Sequence, residues 1–136
     1  MNSNELPQRC PQGIEIKKGS KHDYKESLGD DSNPDDYTYY NIYFEGKKVG
    51  NASYRYNNSY ACWQIDRFLI YEDEEGNGYG SCLLKYISQE MWSIKRSHIK
   101  ISPTKKEEFI SWLIRRGFKE TQVPGFPTTF YVLQPG

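Results

Sequence analysis

Glu75-Gly76-Asn77-Gly78-Tyr79-Gly80-Ser81 is the stretch that decides the fold. Three glycines alternate with larger residues and then give way to a different period. From there Tyr79, Leu83, Tyr86, Ile87, Met91 and Ile94 recur at helical spacing, with Lys85, Gln89 and Lys95 elsewhere on the wheel. The spacing predicts an amphipathic helix over 79–95. Before the glycines, residues 61–71 (ACWQIDRFLIY) have the β-branched and aromatic content of a strand. Glycines between a strand and a helix let the backbone turn sharply and bring bare N–H groups up to a ligand. The first helical turn adds unpaired donors and the positive end of the helix dipole. That combination suits a pyrophosphate.

Working outward, residues 37–44 (YTYYNIYF) and 49–56 (VGNASYRY) read as strands joined by a turn at 45–48. A second turn at 57–60 leads into 61–71, so the three strands form an antiparallel meander. Residues 13–17 alternate as a short first strand, and residues 1–12 read as a loose leader before a single domain at 13–136. Residues 19–36 hold few apolar side chains and read as a loop or flexible arm. On the other side, residues 97–102 form a strand that must run parallel to 61–71, because a helix joins the two. Thr104 to Glu107 is a capping box opening a second helix, whose apolar residues are Phe109, Ile110, Trp112, Leu113 and Ile114. Gly117 ends it. Strands at 118–122 and 128–134 close the domain around 123–127. The expected fold class is α/β, a mixed sheet in which the meander is followed by β-α-β-α-β-β.

With 136 residues the chain is one ordinary domain. The hydrophobic share is 36%, so the core is economical, and the 12 tyrosines supply large rings with polar tips. No run approaches the roughly 18 apolar residues of a membrane span, and residues 1–12 lack the apolar stretch of a secretory signal. A cytoplasmic location with no membrane partner is expected. Cys10, Cys62 and Cys82 form no CxxC pair and have only His22 and His98 for company, so no metal is expected. Reduced thiols are expected, with Cys62 and Cys82 filling the core.

Net charge is zero but unevenly spread. Residues 21–46 carry seven acidic side chains against two basic ones, and residues 95–120 carry eight basic against three acidic. Such separation gives one face for cations and another for anions. Zero net charge and the acidic segment weigh against nucleic acid as a partner.

A Rossmann fingerprint would follow the first strand of a parallel unit and be trailed by an acidic residue about 20 positions on. Here the glycines follow an antiparallel meander, and residues 96–100 are Arg, Ser, His, Ile and Lys. A P-loop needs Gly-Lys-Ser/Thr, which is absent. Instead the arrangement resembles the GNAT (Gcn5-related N-acetyltransferase) superfamily. Residues 71–84 (YEDEEGNGYGSCLL) are similar to that family's glycine signature, and Trp112 to Phe118 to its "Y-x-x-x-G-F" step. The similarity in motif covers 69–120, and in element order 37–134.

The resemblance implies an N-acetyltransferase moving an acyl group, acetyl in the simplest case, from CoA to a primary amine. Acyl-CoA is then the co-substrate, and the partner is a small-molecule or peptide amine. A non-catalytic acyl-CoA-binding or regulatory module of the same fold is the alternative, and either is compatible with a homodimer. It places the pantetheine arm against the backbone of Leu69, Ile70 and Tyr71. The pyrophosphate falls on the amides of Gly76, Asn77, Gly78, Tyr79, Gly80 and Ser81. Lys95, Lys100, Lys105 and Lys106 are the cations expected near the 3′-phosphate. The oxyanion contact falls on the backbone of Phe68 or Leu69.

Three positions depart from the family pattern. Glu75 stands where Gln or Arg is usual, with Glu72, Asp73 and Glu74 beside it. Lys106 replaces an early-helix asparagine, and Leu113 replaces the tyrosine that protonates the departing thiolate. The family's strand glutamate aligns with Gln64, which is not basic. Asp66, two residues on and so on the same strand face, is the candidate base, with Glu72 as runner-up. The other reading of Asp66 is a strand-end aspartate paired with Arg55 or Arg67. In this family the region between the first two strands helps form the acceptor side, so the acidic 19–36 segment favours a cationic amine.

Overall fold

Among the described residues, seven strands and two α-helices form close to where the periodicities place them. The structure, a computed structural model, describes residues 10–20, 37–103, 107–122 and 129–136. Residues 1–9 of the leader, 21–36 of the acidic arm, 104–106 of the capping box with Lys105 and Lys106, and 123–128 of the last turn lie outside the described residues. The elements run β1 (Ile14–Lys18), β2 (Thr38–Phe44), β3 (Lys47–Asn57), β4 (Cys62–Ile70), α1 (Tyr79–Ile94), β5 (Ile99–Ile101), α2 (Glu107–Arg115), β6 (Lys119–Thr121) and β7 (Phe130–Leu133). One sheet takes all seven strands in the order β1-β2-β3-β4-β5-β7-β6.

Local chemistry sets the meander. Glu45 (φ 49°) and Gly46 (φ 82°) both have positive φ, the requirement of a two-residue hairpin turn between β2 and β3. The Asn57 carboxamide oxygen accepts the amides of Ser59 and Tyr60 at 3.0 and 3.2 Å, folding the β3–β4 connection. The β3–β4 register holds a surprise. Ser53 pairs with Arg67 and Tyr54 with Ile65, so Asp66 is an extra residue, a β-bulge in β4. Past the bulge the alternation shifts by one. Phe68 and Ile70 thereby join Trp63 and Ile65 on the face that the helices cover.

That helix-covered face holds the core. Tyr40 meets Tyr86 of α1 edge-on at 5.4 Å, and Tyr54 and Tyr56 do the same to Trp63. Leu83, Ile87, Met91, Leu113 and Phe118 are buried in the same cluster. Burial, the largest cause, pushes the Tyr40 and Tyr54 phenols well above their ordinary range, so both stay neutral. The Trp63 indole donates to the Lys95 carbonyl and the Trp92 indole to that of Ser97, both at 2.8 Å. The first fastens the end of α1 to β4, and the second ties it to the turn that leads into β5. The opposite sheet face carries the polar residues Asn51, Ser53, Arg55 and Gln64, and Asn51 and Ser53 are buried there.

The cysteines do not follow the sequence expectation of three reduced thiols. Cys10 and Cys82 form a disulfide, with Cα atoms 5.3 Å apart. The bond closes a separation of 72 residues, which in the chain-entropy account stabilises the fold by roughly 4 kcal/mol. Cys62 is the buried free thiol, as expected of core filler, and burial raises its pKa. Two of three cysteines have a partner that their spacing does not announce.

Candidate functional site

β4 and β5 are parallel and pair only from Trp63 to Ile65 against Ile99 to Ile101. Beyond Ile65 the bulge turns β4 away, and Asp66 to Ile70 continue without a strand on that side among the described residues. The gap opens into a cleft of about 940 Å³. Its floor is Asp66 to Ile70, and one wall is Glu72, Glu74, Glu75, Gly76 and Gly78 to Ser81. The other wall is Ile101, Ser102 and Pro103 from the end of β5, with Glu108, Phe109, Trp112, Arg115 and Arg116 of α2 and its end.

The glycine wall is shaped for close approach. Gly76 (φ 86°) and Gly78 (φ 83°) take the left-handed conformation that side chains resist. Gly78 is the N-cap of α1 and makes no side-chain cap bond, so the first-turn amides keep open donors. A Cβ on Gly80 would stand 3.3 Å from the Trp112 ring, so its absence lets the indole reach the helix start. Phe68, Phe109 and Trp112 form a ring cluster with centroids 5.5 to 6.1 Å apart. The Arg116 guanidinium lies over Trp112 at 5.4 Å. An anion entering this cleft meets amides on one wall and guanidinium groups on the other.

The acidic approach to the loop is partly neutralised. The Lys47 ammonium donates to Glu74 Oε1 at 2.6 Å, and that bond raises the lysine's pKa. The Asn77 side chain donates to the Glu74 carbonyl at 3.0 Å, closing the turn. Asn77 and Tyr71 do not line the cleft, and the Tyr71 amide is used by the Val49 carbonyl at 2.9 Å. The remaining residues proposed for the cofactor (Leu69, Ile70, Gly76, Gly78, Tyr79, Gly80 and Ser81) all line it, as do Asp66, Phe68 and Glu72.

Of the four lysines expected near the 3′-phosphate, Lys105 and Lys106 lie outside the described residues and the other two stand apart from the cleft. Lys95 lies over the Tyr56 ring, and Lys100 lies over the rings of Tyr60 and Phe130. Neither lines the cleft. Charges at Arg67, Arg115 and Arg116 do, and the last two follow from helical spacing with Glu108, Phe109 and Trp112. That stripe was the available signal.

Asp66 is anchored on two sides. Its Oδ1 accepts from the Gln64 side chain at 2.7 Å, and its Oδ2 faces Arg55 Nε at 3.5 Å. The contact with Gln64 agrees with the two sharing a strand face. Arg55 is the partner, while Arg67 Nε donates to Asn51 Oδ1 at 3.0 Å. Leu113 is not at the cleft. It is 1% exposed and packs in the core. Leu113→Tyr is therefore expected to overpack the α2 interface and lower stability by about 1–3 kcal/mol without adding an acid to the site. Urea unfolding beside a turnover assay checks both halves.

The sequence profile of the acetyltransferase (GNAT) family matches residues 4–104, most of the chain. The chain belongs to the acetyltransferase (GNAT) family. No curated protein sequence matches it. Among solved structures it is similar to a GNAT family acetyltransferase from Elizabethkingia anophelis with acetyl-CoA bound. The TM-score is 0.69 at 12% identity, over 91% of this chain and 99% of that one. It is also similar to the PaiA N-acetyltransferase from Thermoplasma acidophilum in complex with coenzyme A, with a TM-score of 0.70 at 12% identity over 89% and 98% of the two chains. A third is N-acetylglutamate synthase from Neisseria gonorrhoeae, complexed with coenzyme A and N-acetyl-glutamate. There the TM-score is 0.70 at 16% identity, over 93% of this chain and 36% of that one. These matches share the fold built around the seven-stranded mixed sheet. No helix of the described residues is long and apolar enough to cross a membrane, and no cluster of three or more His, Cys, Asp or Glu among them would hold a metal.

Proposed function

We propose that this chain is an N-acetyltransferase that moves an acyl group, acetyl in the simplest case, from CoA to a primary amine by direct transfer. The observation that carries the reading is the open side of β4 facing an uncapped, glycine-lined helix start across one cleft. Acyl-CoA fits the residues present. The amides from Gly76 to Ser81 hold the pyrophosphate, Leu69 and Ile70 border the pantetheine arm, and Arg115 and Arg116 face the phosphates from α2. Bound there, the co-substrate supplies an activated acyl group on a thiol leaving group.

The chain's own residues then have three tasks. A primary amine has a pKa near 10, so a base must take its proton before attack, and Asp66 at the cleft floor is the group placed to do so. Glu72, on the 3₁₀ turn after β4, is second in line. The carbonyl oxygen gains negative charge during attack, and the Phe68 backbone N–H, just past the bulge, is the donor we assign to it. Where the family has its tyrosine acid this chain has Leu113, which is buried and has no proton to give. A thiol pKa of about 8.5 makes the thiolate a tolerable leaving group without one. The buried Leu113 and the pinned Asp66 carry the second reading, a GNAT-fold module that binds acyl-CoA without transfer.

Titrating acetyl-CoA by calorimetry and then following thiol release over a panel of amines tests both readings. Cationic amines such as spermidine are the expected acceptors. Binding with no release from any amine would establish the module instead. Within the same titration, Arg116→Ala is expected to weaken acetyl-CoA by about two- to fivefold at low salt, the range of an exposed charge pair, and by less as salt rises. An unchanged affinity would remove Arg116 from the cofactor site.

A further inference from the structure

The Cys10–Cys82 disulfide has no part in the transfer chemistry, yet it sits at the proposed phosphate cradle. Cys82 lies in the first turn of α1, where its amide takes the first helical bond, to the Gly78 carbonyl at 3.2 Å. Pro11, next to Cys10, stands beside the same Gly78, its Cγ 4.0 Å from the position a Cβ would occupy. The segment that carries Cys10 therefore lies beside the left-handed N-cap and is bonded covalently to the turn that follows it. No strand pairing ties residues 10 and 11 to α1, because β1 begins at Ile14 and pairs with β2. The disulfide is the covalent tie. Cys82 is 3% exposed while Cys10 is half-buried, so an attacking thiol reaches the bond from the Cys10 side.

We propose that Cys10–Cys82 is a reversible thiol–disulfide site that sets the affinity of the Gly76–Ser81 cradle for acyl-CoA, an inference resting on the cofactor placement above. The co-reactant is a low-molecular-weight thiol. Its thiolate attacks Cys10 Sγ and forms a mixed disulfide, and the sulfur–sulfur electron pair leaves on Cys82. The Cys82 thiolate departs at the positive end of α1, which favours it as leaving group, and then takes a proton. A second thiol cleaves the mixed disulfide, so two protein thiols appear and two reagent thiols become one disulfide. Oxidation by a small disulfide runs the same steps in reverse. With the bond closed, the N-cap and first turn are held in place and binding loses less ordering entropy. With it open, the Cys10–Pro11 segment and the first turn move apart more freely. The closed form is the tighter binder.

The test compares full-length protein oxidised with a small disulfide and reduced with a phosphine. The probe is acetyl-CoA, whose thioester carries no free thiol to exchange with the site. Reduction is expected to expose two additional thiols and to weaken acetyl-CoA by about five- to tenfold, at the lower end of coupling between linked sites. Cys10→Ser should match the reduced protein in either buffer. Equal affinity in both redox states, or tighter binding on reduction, overturns the inference while leaving the cofactor site intact. Failure of mild oxidation to close the bond also overturns it. Should the reduced protein be unfolded at the assay temperature, the bond is a structural staple and the inference fails. No acetyl-CoA binding by the oxidised protein would defeat the cofactor placement itself.

Discussion

Gly78→Val is expected to abolish acetyl-CoA binding, raising Kd by about 100-fold or more, the loss of two charge-assisted hydrogen bonds at roughly 1.5 kcal/mol or more each. Two properties of the position produce this. Its φ of 83° is the left-handed region, where a β-branched side chain is strained. Relaxing that strain moves the amides that follow. The Cβ itself meets only Pro11, at the ordinary contact distance of 4.0 Å, so the protein interior does not object. The cost to the fold is local, about 1–2 kcal/mol, while the γ-methyl groups crowd the approach to the cradle. Gly46→Val provides the comparison, because Gly46 has the same left-handed backbone (φ 82°), an empty neighbourhood and no place in the cleft. A similar drop in melting temperature for both, with binding lost only in Gly78→Val, is the expected pattern. Retained acetyl-CoA affinity in Gly78→Val would move the pyrophosphate off this loop.

Much of this architecture was legible because periodic patterns report on an element's own faces. Helix α1 ends within a residue of the predicted boundary, and a helix between two strands of one sheet dictates their parallel pairing. The use of the β4 backbone from Leu69 onward followed from the resemblance and not from spacing. What stayed hidden are relations between distant elements, which leave no period behind. The Cys10–Cys82 bond joins positions 72 apart, and an odd cysteine count suggested no partner. The cleft cations were assigned from charge alone, so Lys95 and Lys100 were named although neighbouring rings hold them at other edges. Only the geometry of α2 brings Arg115 and Arg116 to the cleft. The bulge did leave a mark. The apolar steps Trp63, Ile65, Phe68 and Ile70 slip by one between the second and third, which is the trace of an extra residue at Asp66.

That extra residue carries the prediction on catalysis. Asp66→Asn keeps size and shape but removes the proton acceptor, and kcat is expected to fall by about 10²- to 10⁴-fold if proton removal from the amine limits the rate. Acetyl-CoA affinity should hold, because the cofactor contacts proposed here are to loop amides, to Leu69 and Ile70, and to α2, and none is to the Asp66 side chain. The substitution also disturbs a structural pair, since the Asp66 carboxylate accepts from Gln64 and faces Arg55 at 3.5 Å. An asparagine cannot accept from both sides, so part of any loss would come from a shifted strand. Arg55→Met separates the two causes, because it breaks the ion pair and leaves the carboxylate. If Asp66 is the base, Arg55→Met retains turnover within a few-fold while Asp66→Asn does not. The acidic limb of the kcat/KM profile then disappears in Asp66→Asn alone, since that limb reports protonation of the free enzyme's base. Equal losses in both variants, with the limb preserved, would make Asp66 a positioning residue held by Arg55 and pass the base to Glu72. A wild-type rate that Asp66→Asn leaves unchanged would remove Asp66 from the chemistry altogether.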